Sequence, residues 1–317
     1  MTRVLLTGSS GQLGAYLIEE LIRAGVSICA WSGSRAVVRS GIPLQPVDLG
    51  RPDDVAAAYR AFDPSAVIHA AALSSIAECV RDPERARAIN VRGTEVLADL
   101  SRRSAARFVY TSTDLVFDGE RGPYREHDRA GPLSVYGRTK WEAEAIARDV
   151  PRGLVARLSL LYGPSRTDRP SFFDQQVSAC RGRRPLTLFE DEWRSPLDLA
   201  TAARALVAAT LTETPDLLHI GGPERMSRVE MGRRVARCLG LDSDSIASAQ
   251  RLSAPFAEPR PRDCSLDSSQ WRSLFPEQEW PKLEIAVLGM FSATLSGKPP
   301  VAADAFGTPP ASAGGSP

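Results

Sequence analysis

The chain has 317 residues, 43% of them apolar, enough for one large core or for two cores sharing an interface. With 39 basic against 38 acidic residues the net charge is +1, which argues against a nucleic-acid partner or an anionic membrane gripped by bulk electrostatics. No apolar run reaches the roughly 18 residues of a membrane span, and no signal-like segment precedes Arg3-Val4-Leu5. Five scattered cysteines and three isolated histidines offer neither a disulfide framework nor a metal site. A reduced, cytoplasmic, metal-free protein is the expectation.

In chain order, Val4–Thr7 is a β-branched and leucine run that predicts the first strand, and Gln12–Ala24 carries Leu13, Leu17, Leu21 and Ile22 at helical spacing. Val26–Trp31 predicts the second strand, and Val47 closes a shorter run after Pro46. Helix is expected over Val55–Phe62, strand over Ala66–His69, helix over Pro83–Arg103, strand over Phe108–Thr111, helix over Leu133–Asp149 and strand over Leu154–Leu158. Strands that are apolar throughout and alternate with helices predict an α/β fold, with a doubly wound, Rossmann-type parallel sheet covered on both faces. After about residue 163 the pattern loosens, with helices expected over Ser171–Arg181, Asp198–Leu211 and Ser227–Leu239, and short strands at Leu186–Phe189 and Leu217–Ile220. The expected domains are 1–165 for a dinucleotide, 166–297 as a smaller α/β substrate lobe whose chain crosses back to the first, and 298–317 as a disordered tail rich in Pro, Ala, Gly and Ser.

Thr7-Gly8-Ser9-Ser10-Gly11-Gln12-Leu13-Gly14 joins the first strand to the first helix. Gly8 permits the tight turn, Gly11 lets the backbone approach a pyrophosphate, and Gly14 lets helix and strand pack closely. The helix N-terminus then offers free N–H groups and a positive dipole to phosphate, with Ser10, Gln12 and Leu13 on the same turn. An NAD site usually ends the second strand with an acid that binds both ribose hydroxyls. Here Ala30-Trp31-Ser32-Gly33-Ser34-Arg35 has no carboxylate, but two hydroxyls and a guanidinium. Ser32, Ser34 and Arg35 are therefore expected to hold a 2′-phosphate, which predicts NADP(H) as cofactor. Asp48-Leu49 is placed to meet the adenine, and Ala70-Ala71-Ala72 offers a flat, small-residue surface for the cofactor to cross.

Tyr136-Gly137-Arg138-Thr139-Lys140 puts Tyr and Lys at i and i+4, on one face of a helix. A cation there is expected to lower the tyrosine pKa, favouring phenolate and easing proton transfer near neutral pH. The match carries weight because the chain has only three lysines (Lys140, Lys282, Lys298) beside 36 arginines (39 − 3). A compact ammonium suits a phenol and ribose hydroxyls where arginine would not. Upstream, Tyr110-Thr111-Ser112-Thr113-Asp114 ends a strand and brings Ser112 and Thr113 to the sheet's carboxyl edge, where ligands bind in open α/β folds. Thr113 is the candidate to hold a substrate carbonyl. Asn90, a poor helix former inside a predicted helix, is a candidate to hold backbone and water behind the lysine. Arg260, in Arg260-Pro261-Arg262-Asp263, is a candidate for a substrate phosphate, whereas His69 reads as structural.

These stretches, with HAAA (69–72), STDLVFDG (112–119), YREHD (124–128), GPLSVYGRTKWEAE (131–144), RLSLLYG (157–163) and RPRDCSLD (260–267), resemble the extended short-chain dehydrogenase/reductase family. Within it the chain is similar to the dTDP-4-dehydrorhamnose reductase (RmlD-like) branch, from residue 2 to about 290. The resemblance implies that NADPH reduces a nucleotide-linked 4-keto-6-deoxy sugar, that Tyr136 protonates the alkoxide, that Lys140 tunes Tyr136 and binds ribose, and that Thr113 orients the carbonyl. Sugar dehydratases of the superfamily carry an Asp-Glu pair after the hydroxyl; here Asp114 is followed by Leu115, which disfavours dehydration. Where rhamnose-type reductases set a tryptophan against the sugar, this chain has Leu160. A related branch, the regulatory β subunit of methionine adenosyltransferase, resembles the chain at 124–128 and at Leu160-Leu161-Tyr162, and implies a non-catalytic NADP-binding interaction subunit instead. A sugar epimerase that retains NAD is a third candidate, against which Arg35 speaks. The superfamily's helix pairing makes a homodimer the candidate assembly.

Overall fold

The first predicted strand, β1 (Arg3–Thr7), lies inside an eight-stranded sheet, with strands on both sides. The computed structural model describes residues 1–33, 36–253 and 258–295, with side chains through Phe291. The tail expected from Lys298, like Ser34 and Arg35, lies outside the described residues. β2 (Ser27–Ser32), β3 (Val37–Arg39), β4 (Ile42–Pro46), β5 (Ala66–His69), β6 (Arg107–Thr113) and β7 (Gly153–Leu158) join β1, and a last strand, Leu217–Ile220, completes the sheet. Across it the order is Leu217–Ile220, β7, β6, β5, β1, β2, β4, β3. Every pair is parallel except β3–β4, an edge hairpin that the sequence pattern did not reveal.

Helices cover both faces, as a parallel sheet of fully apolar strands requires. On one side α1 (Gln12–Arg23) packs Leu17, Ile18 and Leu21 into a cluster with Ile68, Val109 and Leu206. On the other, α2 (Pro52–Phe62) supplies Val55 and Tyr59 to a second cluster. Pro52 starts that helix with a preset φ, and Asp63 ends it in the left-handed region. After α3 (Ile76–Arg81), the helix expected over Pro83–Arg103 is α4 (Pro83–Arg87) running through one π turn, Ala88–Arg92, into α5 (Gly93–Arg103). α6 (Val135–Arg148) opens on Ser134, whose hydroxyl accepts the Gly137 N–H at 3.0 Å. α5 and α6 add Leu97, Ala98, Ala143 and Ala147 to the second cluster.

The second half divides its elements. α7 (Phe172–Arg181), held by a Ser171–Asp174 capping box, precedes a side sheet in which Leu186–Phe189 pairs in parallel with Ile246–Ala249. α8 (Leu199–Leu211) packs beside α1 on the large sheet, and Leu217–Ile220 pairs with β7 there. α9 (Arg228–Cys238) contributes Met231 and Val235 to a third cluster with Tyr162, Phe173 and Val287, which also receives Leu160. α10 (Ser269–Leu274) buries Trp271 against the first cluster, and α11 (Leu283–Leu295) closes the third. Among the described residues no helix is long and apolar enough to cross a membrane, and no group of three or more His, Cys, Asp or Glu could hold a metal. Leu206 is fully buried between α8 and the sheet, so Leu206→Ala is expected to cost about 2–5 kcal/mol, read from the urea midpoint at unchanged slope.

Candidate active site

β1 hands the chain to α1 through the glycine turn. The Thr7 hydroxyl lies 2.7 Å from His69 Nδ1 and accepts the Ala71 N–H at 3.2 Å, which ties the ends of β1 and β5 together. Gly8 has φ +73°, where a side chain is strained, and a Cβ there would fall 2.6 Å from the Ala70 and Ala71 backbone. At Gly14 a Cβ would fall 2.2 Å from the Gly8 carbonyl oxygen, so only glycine lets α1 begin this close to its own turn. The turn opens on a cleft of about 610 Å³. Gly8, Ser10, Gly11, Gln12, Leu13 and Gly14 line it, as do Ser32, Asp48 and Leu49, and so do Ala70, Ala71 and Ala72. Asp48 accepts the Gly50 N–H at 2.9 Å, so one carboxylate oxygen shapes its own turn. Gln12 Nε2 donates to Ser165 Oγ at 2.9 Å and to the Arg169 carbonyl at 2.8 Å, drawing the 164–170 loop to the turn. Nothing in the sequence pattern signalled that contact.

Ser112, Thr113, Tyr136 and Lys140 line the same cleft. Thr113 ends β6; its hydroxyl donates to Asp114 Oδ1 at 3.2 Å and accepts the Leu115 N–H at 3.2 Å. Lys140 is only 2% exposed, with Nζ 4.1 Å from the centroid of the Tyr110 ring. Burial pushes this ammonium down to about 7, and Glu144, one helical turn on, opposes the shift. The phenol expected to be acidified is instead held well above its ordinary value. Burial dominates, the carboxyl of Asp114 and the thiol of Cys79 add to it, and the hydrogen bond with Thr113 opposes it. The i, i+4 spacing brings phenol and ammonium to one cleft, but burial decides the state of the phenol, which stays protonated rather than becoming a phenolate.

A buried network backs these groups. Arg157 holds Glu144 bidentately, Nε to Oε1 at 2.9 Å and Nη2 to Oε2 at 2.7 Å, and Ser112 donates to Oε1 at 2.5 Å. The Ser112 hydroxyl is thus engaged with Glu144. Glu144 follows Tyr136 and Lys140 at the same four-residue interval, the one sign in the sequence that it shares their face. Asn90 sits in the π turn, accepts the Leu73 N–H at 2.8 Å and donates to the Leu73 carbonyl at 3.1 Å and to Thr139 Oγ1 at 3.0 Å. It pins the segment after β5 to α6 and is not among the cleft-lining residues. Arg260 is also not brought to the cleft; it pairs with Glu192 at 2.7 and 2.9 Å in the second half of the chain. Glu192 also faces Arg194, which lies 3.5 Å from Asp114. His69 is fully buried between Thr7 and Thr94 Oγ1, the latter at 3.0 Å from Nε2, and burial with Lys140 nearby pushes it down to about 3.

The model of the RmlD substrate binding domain matches residues 1–288. The chain belongs to this family. Among its relatives, the dTDP-4-dehydrorhamnose reductase of Streptomyces griseus is 29% identical over 288 residues, 88% of this chain and 90% of that protein. The methionine adenosyltransferase 2 subunit beta of Bos taurus is 28% identical over 293 residues, covering 88% and 84%. The crystal structure of dTDP-4-dehydrorhamnose reductase from Bacillus anthracis in complex with NADP shares the fold, with a TM-score of 0.80 over 93% of this chain and 100% of that one, at 22% identity.

Two predictions follow from this geometry. Gly14→Ala drives a methyl into the Gly8 carbonyl and is expected to abolish dinucleotide binding, read by titration of NADPH fluorescence. His69 and His219 are both held neutral, each pushed from an ordinary 6.5 to about 3 mainly by burial. Their contribution to stability is complete above pH 6.5 and is lost as the pH falls towards 3, because the unfolded chain then takes up protons that the folded one refuses. The expected slope is about 1.4 kcal/mol per pH unit per histidine, measured as urea midpoints through that window, and His69→Gln should flatten it.

Proposed function

We propose that this protein is an NADPH-dependent reductase of a nucleotide-linked 4-keto-6-deoxy sugar or a closely similar ketone. The observation that carries the reading is the convergence of Thr113, Tyr136 and Lys140 on the cleft that the glycine turn opens into. The turn suits a dinucleotide: its backbone closes so tightly that Gly8 and Gly14 admit no Cβ, and α1 begins at Gln12 with its first N–H groups at the cleft. NADP(H), when bound there, supplies the hydride. Thr113 presents its hydroxyl to the carbonyl oxygen. Tyr136, kept protonated by burial, gives its phenolic proton to that oxygen as negative charge develops on it. Lys140 supplies the cation on the same helix face, close to the point where its ammonium titrates. Leu115 occupies the place where a dehydratase would need a second carboxylate, which supports simple reduction over elimination.

A second reading, a non-catalytic NADP-binding subunit that works by interaction, is favoured by one observation. Leu160, standing where an aromatic sugar platform is expected, packs into the third cluster beside Tyr162 and Phe173. The experiment that separates the two is NADPH oxidation by the purified chain across a panel of nucleotide-linked 4-keto-6-deoxy sugars. Turnover is expected, with Tyr136→Phe lowering kcat about 100- to 10,000-fold while NADPH affinity holds. Binding of NADPH without oxidation by any member of the panel would favour the interaction subunit. Because the Lys140 ammonium is lost as the pH rises through about 7, kcat/KM is expected to fall on that side of neutrality, and Lys140→Arg should displace this limb.

A further inference from the structure

The helix that carries Tyr136 and Lys140 begins without an acid of its own. No Asp or Glu stands in the first turn of α6, where a negative charge suits the free N–H groups and the positive end of the helix dipole. Ser134 satisfies one of those groups, the Gly137 N–H. The Val135 N–H, one residue before Tyr136, is met from the second half of the chain: it donates to Glu258 Oε1 at 2.8 Å. Arg138 Nη2 donates to the same oxygen at 3.2 Å and Nη1 to the Leu133 carbonyl at 3.0 Å, so the guanidinium braces the carboxylate against the start of the helix. The Glu258 side chain is only 11% exposed, which shields the contact from water. The carboxylate also faces the Cys79 thiol, which it helps to raise, and that thiol acts in turn on Tyr136. Cys79 Sγ donates to the carbonyl of Leu73, a cleft-lining residue, at 3.2 Å. The segment that brings Glu258 is rooted elsewhere: the Arg251 N–H donates to Asp191 Oδ1 at 2.7 Å, and Arg260 clasps Glu192. From behind, the Thr139 hydroxyl donates to the Tyr136 carbonyl at 2.9 Å and accepts from Asn90. The turn that bears the phenol is therefore gripped from both halves of the chain.

We propose that Glu258 is a positioning residue for Tyr136: by holding Val135 and Arg138 it fixes the first turn of α6, and through it the second half of the chain sets the aim of the phenol at the ketone. The inference rests on the reductase reading above. The test compares Glu258→Ala and Glu258→Gln with the wild type in three measurements on the full chain: turnover of the keto sugar that the panel identifies, NADPH titration, and amide hydrogen exchange of the peptide 133–139. Glu258→Ala is expected to lower kcat about 10- to 100-fold with NADPH affinity unchanged, and to speed exchange at Val135, whose N–H loses its acceptor. Glu258→Gln keeps an oxygen at that place and should restore kcat to within about threefold of the wild type. A wild-type kcat in Glu258→Ala, with only the urea midpoint lowered, would show a clasp that holds the two halves together and would overturn the proposal. So would a parallel fall of kcat and NADPH affinity, the mark of a cleft that has lost its shape. A wild-type chain that reduces no member of the panel removes the reductase reading itself, and with it the reaction for which Tyr136 is aimed; that result is distinct from a wild-type turnover that Glu258→Ala leaves intact.

Discussion

An ammonium sealed from water dictates most of what surrounds it. Leaving Lys140 charged at 2% exposure costs several kcal/mol unless neighbours compensate. The face of Tyr110 lies against the ammonium, and Glu144, one turn along α6, opposes the loss of its charge. Glu144 is then a buried carboxylate with its own need, met by Arg157 and Ser112. Arg157 in turn lies over the Phe117 ring and 3.3 Å from His219, on the strand supplied late in the chain. One buried cation thus binds α6, β6, β7 and Leu217–Ile220 into a single polar seam. It leaves the lysine titrating near neutral pH and the neighbouring phenol protonated.

A second seam runs outward from the end of β6. Asp114, raised above its ordinary range by burial, follows Thr113 directly and meets Arg194, which faces Glu192, which clasps Arg260. The end of β6 at Thr113 is therefore keyed by charge, through Asp114, to the second half of the chain. Arg260, expected from its sequence stretch to meet a substrate phosphate, is paired with Glu192 in this seam.

The sequence was most readable where backbone sterics leave one answer. The glycine turn could be placed because Gly8 and Gly14 admit nothing larger, and the parallel sheet because its strands are apolar on both faces. Tyr136 and Lys140 stood out because helical periodicity alone puts them together. What stayed hidden depends on distance in sequence. The β3–β4 hairpin has only Ser40-Gly41 to announce it. Asn90 was recognisable as out of place in a helix but not as the clasp on Leu73, and the direction of the Tyr136 shift could not be read because spacing reports proximity to Lys140 and not the depth of burial.

The strand Leu217–Ile220 has a consequence for biosynthesis. Until Ile220 has left the ribosome, β7 presents a bare hydrogen-bonding edge, and Arg157 lacks the imidazole that flanks it. The sheet is completed only when this strand from the second half pairs with β7. A nascent chain arrested before that point would offer an open sheet margin to any other growing copy, so the order in which the segments are synthesised obliges the molecule to wait for its own second half.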